Sequence, residues 1–251
     1  MLRSARRLFA GSLCCFFIAG PAFAADPIGK VVALAGSTSA SGPGGSRELM
    51  AGAAIYEDDR ITTGGGNVQI VFRDNTRLLI GPRSTLVIDR FLLRGGRSVR
   101  KFSIDVLRGT FRFISGSSRK SAYNITTANS TIRLKGTAFD VSTGSATLIA
   151  VYSGKASLCA YGRCETVDQY CGVARAQGGD VMELTGRSKA RALRGLPYVA
   201  SQARLAGPFR VDTSGCRSLI GDDPHRRSKQ DRQGEKPTRG RPSATPGPTP
   251  Q

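Results

Sequence analysis

Short β-forming runs alternate with turn residues along most of the chain. Between residues 28 and 184, apolar stretches such as 68–72 and 147–152 are bounded by Gly, Asn, Asp, Ser or Pro. Alternation in Phe111-Arg112-Phe113 and Ile132-Arg133-Leu134 predicts strands that bury one face and show the other to solvent. No stretch there has convincing helical periodicity. The pattern predicts one all-β domain of short strands, either β-helix-like or sandwich-like.

The composition changes after Leu184. Residues 186–221 are basic and hold few β-forming residues, which indicates a C-terminal extension. Pro197 at a first turn predicts a short helix that runs to about Ala206, before Gly207-Pro208. Residues 222–251 are mainly Pro, Arg, Gly, Ser, Thr and Gln, with little to bury, so we expect a disordered tail.

The first 24 residues have the layout of a signal peptide. Arg3, Arg6 and Arg7 precede an apolar run, and Ala22-Phe23-Ala24 forms a small-x-small cleavage box. The apolar run is shorter than the roughly 20 residues of a membrane helix, which favours cleavage over an uncleaved anchor. We therefore expect a bacterial periplasmic or secreted protein with no transmembrane segment in its mature chain. Its β domain would span residues 25–185.

Four cysteines remain after the predicted cleavage, and export favours disulfides among them. Cys159 and Cys164 flank Ala160-Tyr161-Gly162-Arg163, a hairpin signal that would bring their side chains together. This leaves Cys171 to pair with Cys216. A zinc site is the alternative, but structural zinc usually takes more closely spaced cysteine pairs.

The charge is strongly positive, at +19 for the whole chain. Without the leader arginines it is +16, and residues 218–251 carry +3, so about +13 belongs to the rest. Such a field attracts anions without selecting among them. Export makes nucleic acid the least expected partner, and no basic run is interleaved with aromatic residues. An anionic envelope polymer and an ordinary solvated basic surface both remain open.

Four blocks in order resemble the FecR domain family, named for the regulator of iron-citrate uptake. The first ends in Arg60-Ile61-Thr62-Thr63-Gly64. The others are Val68-Gln69-Ile70-Val71-Phe72-Arg73-Asp74-Asn75-Thr76-Arg77-Leu78-Leu79-Ile80-Gly81, Ile132-Arg133-Leu134-Lys135-Gly136-Thr137-Ala138-Phe139-Asp140-Val141 and Val151-Tyr152-Ser153-Gly154. The resemblance covers roughly residues 28–184.

The resemblance implies a fold and an interaction role. Family members that regulate sigma factors carry a cytoplasmic segment and a membrane span before this domain, whereas a predicted signal peptide precedes it here. The implied role is therefore a sensory or protein-interaction module of the envelope, with an unidentified protein partner. The motif residues have structural explanations: Asp74 in a tight turn, Gly81 at a close approach and Gly136 at a bulge. The full set is Gly64, Asp74, Gly81, Gly136, Thr137, Phe139 and Gly154.

The residues predict no enzyme, cofactor or metal site. The one histidine, His225, lies in the predicted tail, which excludes histidine-based catalytic and zinc sites. A carboxylate pair for glycoside cleavage is the remaining enzymatic alternative. We expect its candidates to be solvated turn residues instead: Glu57, Asp58, Asp59, Asp74, Asp89, Asp105 and Asp140. The hypotheses are thus an envelope sensory module and a binding protein for an anionic polysaccharide or cell-wall polymer.

Overall fold

The computed structural model describes residues 26–43, 45–93 and 98–221, except for the side chains of Lys135 and Thr137. The predicted signal peptide and tail lie outside these residues. The described part of the protein is all-β, as predicted, with three short α-helices at its C-terminal end. The strands are β1 Gly29–Ala35, β2 Thr38–Gly42, β3 Gly45–Glu48, β4 Ala54–Ile55, β5 Arg60–Thr63, β6 Asn67–Phe72, β7 Arg77–Ile80, β8 Thr85–Leu93, β9 Val99–Ile114, β10 Tyr123–Thr127, β11 Thr131–Thr143, β12 Thr147–Ala160, β13 Arg163–Val167, β14 Gly172–Gln177 and β15 Asp180–Glu183.

The strands form one continuous sheet that folds into two half-sheets. The first has the order β3-β2-β5-β8-β9-β10-β11-β12-β13. The second has the order β4-β1-β6-β7-β9-β11-β12-β14-β15. Strands β9, β11 and β12 belong to both, because each is long enough to cross from one half-sheet to the other. The arrangement is a sandwich, which is one of the two predicted forms.

Glycines with positive φ lie where the three long strands change partners. They are Gly109 in β9 (φ 105°), Gly136 in β11 (φ 74°) and Gly154 in β12 (φ 73°). The β11–β12 register shifts between Lys135 and Ala138, which is the bulge predicted at Gly136. A side chain would strain the backbone at this φ. These glycines therefore let each strand turn the corner between half-sheets.

The main core lies between the half-sheets. Phe102 of the first contacts Phe72 and Phe113 of the second, with ring centroids 4.6 and 6.2 Å apart. Phe139 and Val141 are also fully buried there. Burial of this much apolar surface is the main force that holds such a sandwich together.

The C-terminal extension covers the outer face of the second half-sheet. Its helices are α1 Gly186–Arg194, α2 Pro197–Ala200 and α3 Ser214–Gly221. Leu193, Leu196 and Val199 pack on Ala150, Tyr152 and Val173 of the sheet, while Leu205 and Phe209 pack on Leu79. The predicted helix does begin at Pro197 but ends at Ala200, and α1 and α3 were not predicted. Contact with the sheet stabilises these helices, which are too short to be stable alone.

Candidate interaction surface

The predicted motif residues that the structure describes lie at turns, close backbone contacts and strand corners of the sandwich. A side chain at Gly81 would come within 2.8 Å of the Thr110 carbonyl oxygen, so the close approach predicted there is found. Thr63 Oγ1 donates a hydrogen bond of 2.6 Å to the Gly81 carbonyl, which brings the Gly64 turn and Gly81 together. Gly136 and Gly154 meet at the β11–β12 corner. Asp74 lies elsewhere, and the side chain of Thr137 is not described.

Asp74 closes the tight turn between β6 and β7 and is completely buried. Asn75 supplies the left-handed residue of the turn (φ 64°). The Asp74 carboxylate accepts hydrogen bonds from the Thr76 backbone and hydroxyl, from Ser118 Oγ at 2.8 Å and from Tyr123 OH at 2.7 Å. Burial raises the pKa of Tyr123 to about 12, the Thr76 bond acts against this rise, and Asp74 adds to it. The turn is thus anchored to β10.

The expectation that the acidic residues are solvated is wrong for three of them. Asp59, Asp74 and Asp140 have no exposed surface. Each buried carboxylate has partners, since Arg47 binds Asp59 and Arg112 binds Asp140. Burial of a charge is tolerated only with such pairing. All three carboxylates therefore have structural hydrogen bonds rather than a free catalytic position.

Arg112 joins the second half-sheet to the extension. Its Nε and Nη2 bind the two oxygens of Asp140, directly across the β9–β11 ladder, at 2.6 and 2.9 Å. Its remaining three N–H groups donate to Gln202 Oε1 at 2.6 Å and to the carbonyls of Phe209 and Tyr198 at 3.3 Å. All five guanidinium donors are thereby used. Sequence alternation predicted one buried face for this strand, and the extension buries the other face, with Arg112, as well.

Two tyrosines surround this ion pair. The Arg112 guanidinium lies 5.1 Å from the ring centre of Tyr152 and 5.8 Å from that of Tyr198. Burial raises the pKa of Tyr152 well above its usual value, and the Asp140 charge adds to the rise. Burial lowers the pKa of Arg112, but Asp140 and Tyr152 outweigh this and the net shift is upward. The cluster therefore holds Arg112 charged and Tyr152 neutral.

The structure joins Cys159 to Cys164 and Cys171 to Cys216. Cys159 and Cys164 are direct cross-strand partners of β12 and β13, with Cα atoms 4.1 Å apart. The hairpin turn is shorter than predicted, with only Tyr161 and Gly162 outside the strands. Cys171 and Cys216 are buried and attach α3 to the start of β14. One disulfide therefore staples a surface hairpin, and the other fastens the extension to the sheet.

Tyr161 projects from the tip of the stapled hairpin. It is 79% exposed and has a left-handed backbone (φ 48°), which is unfavourable for a tyrosine. Arg163 pairs with Asp180 of the neighbouring β14–β15 hairpin at 2.8 Å. Sequence analysis recognised the hairpin but not the exposed aromatic residue, although position 161 in a short turn was the available signal.

Helix α1 carries three exposed arginines on the face opposite its buried residues. Arg187, Arg191 and Arg194 recur at helical spacing, and Ala192 and Leu193 face the sheet. Sequence analysis noted only that this segment is basic. The spacing of the arginines around Leu193 was the available signal for an amphipathic helix, and it was missed.

Within residues 26–43, 45–93 and 98–221, His, Cys, Asp and Glu side chains form no group of three that could hold a metal ion. Over the same ranges, every helix is too short or too polar to cross a membrane.

The geometry is that of an all-β sandwich in which the motif residues support the backbone. Its prominent exposed groups are Tyr161 and the arginines of α1. Residues 59–157 match the family model described as FecR protein. This segment of the chain is thus similar to the FecR family, as the sequence motifs indicated. Proteins of this family are generally not enzymes, and the match supports a sensory or regulatory module. Among curated proteins, none matches the chain.

Several solved structures are similar to part of the chain. Two crystal structures of a "putative anti-sigma factor" from Parabacteroides distasonis ATCC 8503 match with TM-scores of 0.43 and 0.41, at 12% and 13% identity. The matches cover 53% and 54% of this chain and 62% and 63% of those chains, so the chain spans about three fifths of their length. A cell surface anchoring domain matches 24% of this chain and 82% of its own, at 34% identity and a TM-score of 0.23. Likenesses this weak transfer no partner or activity.

Proposed function

We propose that this protein is exported to the bacterial periplasm and works there as a non-enzymatic sensory or protein-interaction module of FecR type. The family match, the leader pattern and the two disulfides support this proposal. The disulfides together with the family indicate an exported or envelope protein. The periplasm is the finer location that we propose.

We further propose the division of the chain that the sequence indicated. Residues 1–24 are the signal peptide, 25–185 the FecR-like domain, 186–221 the extension and 222–251 a disordered tail. The domain boundary at 185 is supported by the end of β15 at Glu183 and the start of α1 at Gly186. The domain is larger than the matched segment, because β1–β4 and β13–β15 complete the two half-sheets on either side of it.

The stapled hairpin is the observation that carries the interaction role. A left-handed tyrosine costs backbone energy, yet nothing within the hairpin requires an aromatic residue at the tip. The Cys159–Cys164 bond lies directly behind Tyr161 and fixes the tip in one conformation. A rigid, exposed aromatic side chain binds with little loss of conformational entropy, which is the property of an interface anchor.

Site-specific photo-crosslinking in intact cells tests the interaction. A photoreactive phenylalanine replaces Tyr161, and the control variant carries it at Met50, an exposed residue after β3 at the opposite edge of the first half-sheet. We expect one discrete protein adduct from position 161 and none from position 50. Identical adduct patterns from both positions, or no adduct from position 161, would contradict an interface at the stapled hairpin.

Fractionation of cells tests the location. We expect the protein in the periplasmic fraction, with a mature N-terminus near Ala25 in N-terminal sequencing. An intact Met1 end embedded in the inner membrane would contradict export by cleavage.

A second candidate is binding of an anionic envelope polymer through the basic surface. The arginine face of α1 is the specific observation that favours an anionic partner. Salt separates the two candidates, since charge-driven binding weakens steeply with ionic strength and a shape-specific protein interface weakens little.

A further inference from the structure

The three arginines of α1 form a single exposed surface, which we call the arginine face: Arg187, Arg191 and Arg194. Their spacing of four and three residues places them within one stripe, about 10 Å long at the rise of an α-helix. Each side chain is exposed. Within the described part of the chain, none of the three guanidinium groups has a hydrogen bond or an ion pair. The helix contains no acidic residue.

This arrangement serves the stability of the helix only in part: Arg191 and Arg194 lie in the last turn, where the helix dipole favours positive charge, whereas Arg187 does not. Arg187 and Arg191 lie one turn apart, where like charges repel. Arg187 also lies in the first turn, where the helix dipole is positive and an acidic residue would be favourable. The helix is held instead by Leu193 and Ala192 on the sheet. Three unpaired charges on a docked helix are therefore available to a partner.

Arginine identifies the chemistry of that partner. The guanidinium fork binds the oxygens of phosphate or carboxylate groups through two parallel hydrogen bonds, so the partner is an anion with such oxygens. We infer that the arginine face docks on the phosphate headgroups of an anionic phospholipid membrane. This inference rests on the second candidate function, an anionic partner in the envelope, and specifies the surface and the kind of anion.

The shape of the surface favours a membrane over a polysaccharide. The cleft of the extension, about 300 Å³, is lined by Gln202, Arg210 and Thr213 among others, and by none of the three α1 arginines. The arginine face is thus on the open side of a helix rather than in a groove that could enclose sugar rings. Because the apolar face of α1 is buried on the sheet, the contact would be electrostatic, without insertion into the bilayer.

Vesicle binding by the oxidised, full mature chain tests the inference. The probes are vesicles containing about one third phosphatidylglycerol in phosphatidylcholine and vesicles of phosphatidylcholine alone. The test variant is R187Q/R191Q/R194Q. The matched control is R73Q/R100Q/R133Q, which removes the same charge from exposed arginines of the sandwich. Circular dichroism and disulfide mapping confirm that both variants are folded.

We expect binding to the anionic vesicles only, and about a hundredfold weaker binding for the test variant, since each basic residue near a lipid surface contributes about a fivefold factor. The control variant should bind nearly as the parent does. Equal losses in both variants would overturn the inference, because only net charge would then matter. Arginine-face binding to immobilised polygalacturonate without vesicle binding would overturn the membrane as partner while keeping an anionic partner. Binding to neither probe would overturn both.

Discussion

The outer faces of the two half-sheets place the same residue type in opposite environments. Arg133, on the first half-sheet, is exposed to solvent. Arg112, on the second, is fully buried beneath the extension and uses all its donors on Asp140, Gln202 and backbone carbonyls. The two strands are locally alike, so the covering segment decides the environment. The second half-sheet is a middle layer, whereas the first is a surface layer.

The strongest test of this difference is a matched pair of arginine substitutions. Arg112→Ala leaves the Asp140 charge buried without its partner, so we expect a loss of about 3–5 kcal/mol in the free energy of unfolding. Arg133→Ala should change it by about 0.5 kcal/mol or less, because its side chain is exposed. Urea unfolding measures both. A second variant, R112A/D140A, should recover part of the loss. Equal effects at positions 112 and 133 would show that the extension does not bury a critical pair.

The two disulfides sharpen the comparison between the half-sheets. Cys159–Cys164 lies at the edge of the first half-sheet, and Cys171–Cys216 fastens the extension over the second. The Cys171–Cys216 bond closes a loop of 45 residues and the Cys159–Cys164 bond one of 5. Loop entropy predicts losses of about 4 and about 2 kcal/mol respectively when each pair is replaced by serine. Urea midpoints compare the variants, and hydrogen exchange should show loosening of residues 186–221 only in C171S/C216S. Loosening of the extension in C159S/C164S instead would contradict the assignment.

Alkaline pH tests the polar groups between the half-sheets. The pKa of Tyr123 is raised to about 12 in the folded protein, above its usual value of 10.0. Tyr123 therefore ionises first in the unfolded chain. The contribution of neutral Tyr123 to the free energy of unfolding is complete below pH 10 and falls as the pH rises towards 12. We expect Tyr123 to contribute a loss of about 2 kcal/mol across this interval, to which Tyr152 adds because burial raises its pKa as well.

Tyr123→Phe isolates the tyrosine in that titration. The variant should show a shallower fall with pH, while the exposed Tyr161→Phe control should retain the full slope. The free energy of unfolding from urea curves at each pH provides the measurement. An unchanged slope in Tyr123→Phe would contradict the assignment to Tyr123.

The smallest effect concerns the chain beyond the extension. Deletion of residues 222–251 should leave the melting temperature nearly unchanged, because this segment has too few apolar residues to join a core. Differential scanning calorimetry measures the melting temperature of both proteins. A decrease of many degrees would show that the cover of the second half-sheet extends beyond Gly221.

Local pattern predicted the strands, the Asp74 turn and the Gly136 bulge because these depend on neighbouring residues. Burial of Arg112 and Asp140 depends on a segment about 60 to 100 positions later in the chain, which local alternation does not report. Ile132-Arg133-Leu134 and Phe111-Arg112-Phe113 carry the same local pattern and end in different layers. Sequence predicted the hairpin of Cys159 and Cys164 for the same local reason. It missed α1 because the helix has only nine residues, four of them charged.

The crossing of three neighbouring strands limits how this domain can move. The backbones of β9, β11 and β12 run continuously through the corners at Gly109, Gly136 and Gly154, beside one another in the ladder. The half-sheets therefore cannot open away from each other without breaking hydrogen bonds between strands. Within the described residues, a response to a bound partner would then fall in the extension, which packs on the sandwich without sharing its strands. A hinge there would lie at the periphery of the domain, because the crossing strands hold the core.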